Sequence, residues 1–203
     1  LGTSDQNVGV YGISGGTTGN NIGVWAQTAG TWGFYSGQSI QVNGCTGCTF
    51  SFIALNAEDR ALEVGDVVTI SGVAPPLQGQ QLPLLQVRRA SAASDALGIV
   101  QSRAEVTTTQ ARTSSGDYAK TETVEIAGRT GGSVQPGDYL LVVVQGLVQV
   151  RADTGVGIQA GDRLVAGDGG IATLAALDGQ TIGRAVDAVD PATGLVWVLI
   201  DLQ

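Results

Sequence analysis

Along residues 53–203 the apolar positions come in short runs broken by Gly, Pro and Asp, and such runs predict strands. Thr121-Glu122-Thr123-Val124-Glu125-Ile126 alternates polar and apolar, as a strand with one buried face does. Residues 140–144 and 195–200 are apolar throughout, which predicts strands buried on both faces. They are too short for typical helices and are rich in β-branched residues. The predicted strands are 67–71, 84–89, 97–106, 122–129, 138–145, 147–152, 163–166, 170–174, 181–189 and 195–201. Pro83 suits the entry to one of them. No helix is predicted. Residues 107–120 are polar and hold Ser114-Ser115-Gly116-Asp117; they read as a protruding hairpin, a mobile loop or a plain surface connection.

Three segments share one pattern, an apolar residue, two more residues, then Gly-Asp and a strand. They are Leu62-Glu63-Val64-Gly65-Asp66, Val134-Gln135-Pro136-Gly137-Asp138 and Ile158-Gln159-Ala160-Gly161-Asp162. Glycine accepts a positive φ and Asp bonds nearby backbone N–H groups, so each unit predicts a turn that launches a strand. The first leads on to Leu97-Gly98-Ile99-Val100 and the third to Ile182-Gly183-Arg184-Ala185. The Gly-to-Gly spacings, 33 and 22 residues, predict a weak internal pseudo-repeat with a longer insertion in the first copy. The fold class expected is all-β: a Gly-rich N-terminal strand segment, then a β-barrel or sandwich-like domain whose two half-units close one core.

Residues 1–52 differ in composition. They hold one charged residue, Asp5, together with 12 glycines and seven of the ten aromatics. Gly9-Val10-Tyr11, Gly23-Val24-Trp25 and Gly33-Phe34-Tyr35 repeat the order Gly, apolar, aromatic. So little charge beside so many rings predicts burial, either against the rest of the chain or against another subunit. On the second reading residues 1–52 are an assembly segment and 53–203 the barrel or sandwich domain. Val10, Tyr11, Val24, Trp25, Trp32, Phe34 and Tyr35 are then the contact residues, through strand pairing with a neighbour.

Charge and reactive groups narrow the chemistry. The net charge is −8, with 10 Lys plus Arg, and Lys120 is the one lysine. Phosphate contacts need a basic patch, so nucleic acid and anionic membrane are poor partners. No run is long enough for a membrane-spanning helix. There is no His, which removes Ser-His-Asp and Cys-His catalysis within one chain. Zinc lacks four good ligands, and Asp153, Asp162 and Asp168 match no calcium loop. No metal and no cofactor are expected. Cys45-Thr46-Gly47-Cys48 predicts a local disulfide that pins a turn; a reduced pair or an intersubunit bridge is the alternative. No βαβ pattern surrounds it, so a thioredoxin-like role is not expected.

The progression Gly65-Asp66-Val67-Val68, Leu97-Gly98-Ile99-Val100, Gly161-Asp162-Arg163-Leu164, Ile182-Gly183-Arg184-Ala185 and Val196-Trp197-Val198-Leu199-Ile200 resembles the C-terminal β-domain of bacterial surface-fibre and phage tail-fibre-type structural proteins. It is also similar to small phage capsid-decoration proteins. The Gly9-Val10-Tyr11-Gly12 repeat resembles the glycine-aromatic repeats that precede such domains in fibres. The resemblance implies a structural role, intertwined β-structure, often as trimers, and no catalytic residue.

The function expected first is a non-enzymatic subunit of an extracellular or cell-surface filament or fibre. It would polymerise with itself through the N-terminal strand segment, and a head-to-tail contact of that kind generates an open filament. The alternatives are a phage tail-fibre or capsid-decoration protein, located in the virion and forming a homotrimer, and a carbohydrate-binding surface module stacking sugars on Trp25, Trp32 and Tyr35. A carboxylate-based glycosidase would draw on Glu58, Asp59, Glu63 and Glu105, but the sequence pairs none of them.

Overall fold

The computed structural model describes residues 49–77, 82–112, 118–126, 132–176 and 181–201, with the backbone alone for 107–112 and 118–126. All of these belong to the unit Gln41–Gln203. They form ten strands: β1 Thr49–Asn56, β2 Val67–Ala74, β3 Leu84–Arg89, β4 Gly98–Arg112, β5 Tyr118–Ile126, β6 Tyr139–Arg151, β7 Arg163–Ala166, β8 Ala172–Leu174, β9 Gly183–Ala185 and β10 Leu195–Asp201. A 3-10 turn at Asp168–Gly170 is the one helical element among the described residues. The all-β class expected from the sequence is the class observed. The predicted strands 138–145 and 147–152 are one strand, because β6 runs on through Gly146 at φ 110°. β1 crosses residues 52 and 53, so the change in composition falls inside a strand.

The strands close twice. β4, β2, β3, β1 and β6 follow one another, and β6 pairs back onto β4, which completes a five-stranded barrel. Its pairings are antiparallel except β1 with β3. From the far half of β6 the sheet continues through β10, β9, β7 and β8. A parallel bridge between Ala152 and Ala172 returns it to the end of β6. This second, smaller barrel therefore shares β6 with the first: Tyr139 to Gly146 serve one, Gln145 to Arg151 the other.

The two barrels repeat each other bond for bond. Gly65 N–H donates to Val100 O at 2.9 Å, and Gly161 N–H to Ala185 O at 2.8 Å. Val100 N–H donates to Asp66 O as Ala185 N–H does to Asp162 O. Ala90 with Val67 is matched by Ala175 with Arg163, and Ala57 with Val87 by Asp153 with Ala172. The registers agree as well: Val68 faces Gly98 and Leu164 faces Gly183, while Ile99 faces Val143 and Arg184 faces Leu199. At the crossings, a Cβ on Gly98 would collide with the Val143 carbonyl and one on Gly183 with the Leu199 carbonyl. The pseudo-repeat read from the Gly-Asp units is thus present, with one difference. Each copy closes its own core where a single shared core was expected.

Apolar alternation fills both cores. Ala54, Leu62, Val68, Val87, Val100, Leu140 and Val142 pack inside the first barrel. Their equivalents Val150, Ile158, Leu164, Ala172, Ala185, Val196 and Val198 pack inside the second. The longer Gly65–Gly98 spacing of the first copy lies in the β2–β3 stretch, and the β4–β5 hairpin is a further addition after Gly98.

Candidate assembly surfaces

The Gly-Asp units are type II-like turns with a carboxylate latch. Gly65, Gly137 and Gly161 have φ of 90°, 80° and 92°, a conformation that side chains resist. The following Asp N–H donates to the carbonyl three residues back, at 3.0, 2.9 and 3.2 Å. Its carboxylate accepts that same residue's N–H: Glu63 at 2.9 Å, Gln135 at 3.2 Å and Gln159 at 2.8 Å. The apolar residue before each turn, Leu62, Val134 or Ile158, is buried. Leu62 and Val134 also bridge to each other, which ties two of the units together.

At the junction of the barrels one of these aspartates does more. Asp66 is fully buried, and Arg89 Nε lies 3.0 Å from one carboxylate oxygen while Arg151 Nη1 lies 2.7 Å from the other. Arg89 also donates to Glu58 at 2.6 Å and to the Ala61 carbonyl. A buried carboxylate tolerates its desolvation when partners saturate its oxygens, and here two guanidinium groups and a backbone N–H do so. The network joins the Gly65 turn and β3 of the first barrel to β6 where it enters the second. Arg151 N–H also donates to Gly65 O at 2.9 Å.

Equivalent surfaces of the two barrels are not covered alike. Val67, Ala90, Ile99 and Val143 sit on the outward side of the first barrel, yet they belong to the core of the second. The mouth of the second barrel is accordingly closed: Val148, Ala166, Ile182 and Ile200 are all buried. Their equivalents around the mouth of the first barrel, Phe52, Ile70, Leu97 and Val144, are half-buried or exposed, with Ile70 at 50 %. Val73, facing Leu85 beside that mouth, is 63 % exposed. Both barrels thus have an apolar mouth, and only the second has its plug among the described residues.

The outward side of the second barrel has changed character. Arg163 and Arg184 stand where the first barrel has Val67 and Ile99, and Leu199, 52 % exposed, stands for the buried Val143. This corrects the expectation for 195–200. Trp197 and Leu199 face outward on β10, and alternate residues alone are buried. The apolar run at 140–144 fits the expectation better, because the second barrel covers its outer side.

The polar stretch 107–120 lies in a hairpin. β4 and β5 pair from Ala104 with Ile126 out to Arg112 with Tyr118. β2 and β6 pair with β4 no further than Ala104, so beyond it the two strands form a ribbon with no third strand among the described residues. The register sets Glu105 opposite Glu125. β5 ends the sheet order, and its outer edge pairs with no described strand.

The contact residues expected from the sequence, Val10, Tyr11, Val24, Trp25, Trp32, Phe34 and Tyr35, lie outside the described residues, as do Cys45 and Cys48. Of the carboxylates considered for catalysis, Glu58 is held by Arg89, and the Asp59 side chain is exposed beside Arg60. Asp153, Asp162 and Asp168 each accept a backbone N–H, from Gly155, Gln159 and Ala92. Sequence reading missed the barrel-one mouth and the Asp66 network. The replacement of Val67 and Ile99 by Arg163 and Arg184 is the sequence signal that separates the covered outer wall of the first barrel from the charged one of the second.

No family model and no curated protein matches the chain. Among solved structures, the C-terminal fragment of bacteriophage phi29 gene product 12 is similar at 17 % identity and a TM-score of 0.41, over 75 % of this chain and 99 % of that one. The pre-mature phi29 gene product 12 is similar at 16 % identity and a TM-score of 0.43, over 82 % of this chain and 23 % of that one.

Proposed function

We propose that the chain is a non-enzymatic structural subunit of a fibre-type virion appendage and works by associating with further copies of itself. The β4–β5 ribbon carries the reading. The second barrel closes with a short link from Ala185 to Leu195 where the first carries the whole ribbon. The ribbon is therefore not needed to close a barrel. A two-stranded ribbon is marginal alone in water, and its open edge is a template for pairing. The low-charge aromatic segment at the N-terminus supplies the second contact, and the likeness of the Gly-Asp progression to tail-fibre domains supports the setting.

A closed oligomer fits better than an open filament built by stacking barrels. Stacking that repeated the internal junction would set the charged Arg163 and Arg184 against the apolar mouth of the next copy, where the internal junction has Val67 and Ile99. Sedimentation velocity of the full chain and of a variant lacking residues 1–36 tests the reading. The full chain is expected as one discrete oligomer, and the shortened chain as folded monomer. A full chain that stays monomeric at tens of micromolar overturns it.

A further inference from the structure

The mouth of the first barrel is a docking socket, and we infer that its occupant is the Gly-aromatic N-terminal segment of a second copy of this chain. The inference rests on the proposed self-association and names the surface that receives it. The two barrels supply the argument. In the second, Val148, Ala166, Ile182 and Ile200 are buried in one core with Val67, Ala90, Ile99 and Val143 from outside that barrel. In the first, Phe52, Leu97 and Val144 hold the same places only partly buried and Ile70 is 50 % exposed, with no such cover among the described residues. An apolar ring left open in one copy and closed in its twin marks a contact surface.

Two observations select the occupant. The outward side of the second barrel, which quasi-symmetry would offer as the plug, carries Arg163 and Arg184 where the internal plug has Val67 and Ile99. Those charges suit it to end a series. Residues 1–48 instead join the barrel at Thr49, the start of β1, with Phe50 and Phe52 in its first turns of alternation. That segment holds Asp5 as its one charge and carries Tyr11, Trp25, Trp32, Phe34 and Tyr35. Aromatic side chains from such a chain match an apolar mouth, since rigid rings bury large area at low entropic cost. A neighbour's segment supplies the link between subunits that the proposed assembly requires.

The test places the photo-crosslinking amino acid benzoylphenylalanine at position 70 of the full chain. Illumination is followed by denaturing electrophoresis and mass spectrometry, and sedimentation of the same sample reports its oligomeric state. The expected product has twice the chain mass, with the link joining position 70 to a peptide within residues 1–48. A product of single-chain mass carrying that link shows that each chain fills its own mouth and overturns the inference. A link landing elsewhere, or none in a sample that sediments as an oligomer, also overturns it while leaving self-association standing. A monomeric sample overturns both. In parallel, Ile70→Glu should weaken the oligomer by about tenfold or more, as a charge set into an apolar anchor site does, with the far-ultraviolet circular dichroism unchanged. Unchanged affinity in that variant contradicts the socket.

Discussion

The two barrels are built alike and finished differently. Seven core positions, the carboxylate-latched turns and the Gly98 and Gly183 crossings correspond between them. What differs is the outside. The first barrel gives its outer wall at Val67, Ile99 and Val143 to the core of its neighbour, while the second presents Arg163, Arg184 and Leu199 at the same places. The first carries the β4–β5 ribbon, and the second closes without one. Interior positions are therefore set by barrel closure, which both copies must satisfy. Exterior positions are set by what each copy meets, and there the sequences part.

The largest break in this comparison is expected at Asp66. Asp66→Ala leaves Arg89 and Arg151 facing each other without their carboxylate and should cost about 3–5 kcal/mol, as removal of one partner of a buried charge network does. The equivalent change, Asp162→Ala, removes one hydrogen bond at a solvent-facing turn and should cost about 1 kcal/mol or less. Chemical denaturation of both variants measures the gap. Equal losses would show that the junction network carries no special weight.

Val143 and Leu199 sharpen the contrast between covered and open wall. Val143→Ala should cost about 2 kcal/mol from lost burial and the cavity left behind. Leu199→Ala, although it removes the larger side chain, should stay within about 0.5 kcal/mol. Thermal melts with a matched heat capacity decide between them, and a reversed order would refute the assignment of the plug. Gly98→Ala and Gly183→Ala probe the likeness itself. Each new methyl would meet a carbonyl of the crossing strand and should cost about 1–3 kcal/mol, and Gly183→Ala should cost the more because Gly183 alone also has a positive φ, 153°. A loss at one position and none at the other would mean the crossings are not equivalent.

The smallest effect concerns Asp190, in the link from Ala185 to Leu195 that stands where the first barrel carries the ribbon. The Ala192 N–H and then the Thr193 hydroxyl hold the Asp190 carboxyl below its usual range. A carboxyl lowered on folding adds stability that is complete above its unfolded value and is lost as pH falls through the folded one. Asp190→Asn should therefore flatten the acid limb of the stability curve slightly and leave neutral pH almost unchanged. An acid limb identical to that of the parent would remove this latch from the account.

Much of this fold was legible in the sequence because its signals are local. A Gly-Asp pair states a positive φ and a carboxylate three residues from the N–H it accepts, and all three units fold that way. Strands 84–89, 163–166 and 195–201 lie at their predicted bounds, since Gly, Pro or Asp breaks the pattern at or beside them. The sharing of β6 was hidden because Gly146 reads as a break in the chain pattern, whereas here the strand simply continues. The exposure of β10 was hidden for a different reason. Residues 140–144 and 195–200 look alike as sequence, and only the presence of a second barrel against β6 separates buried from exposed. The mouth of the first barrel is invisible for the same cause, because Ile70 and Ala166 differ less in their neighbours along the chain than in what stands above them.

Electron cryomicroscopy of the purified full chain tests the central claim most directly. Discrete closed particles of a few copies are expected, with the ribbon of each first barrel against a neighbouring subunit. Isolated monomers, or filaments in which the second barrel of one copy stacks on the mouth of the next, would contradict it.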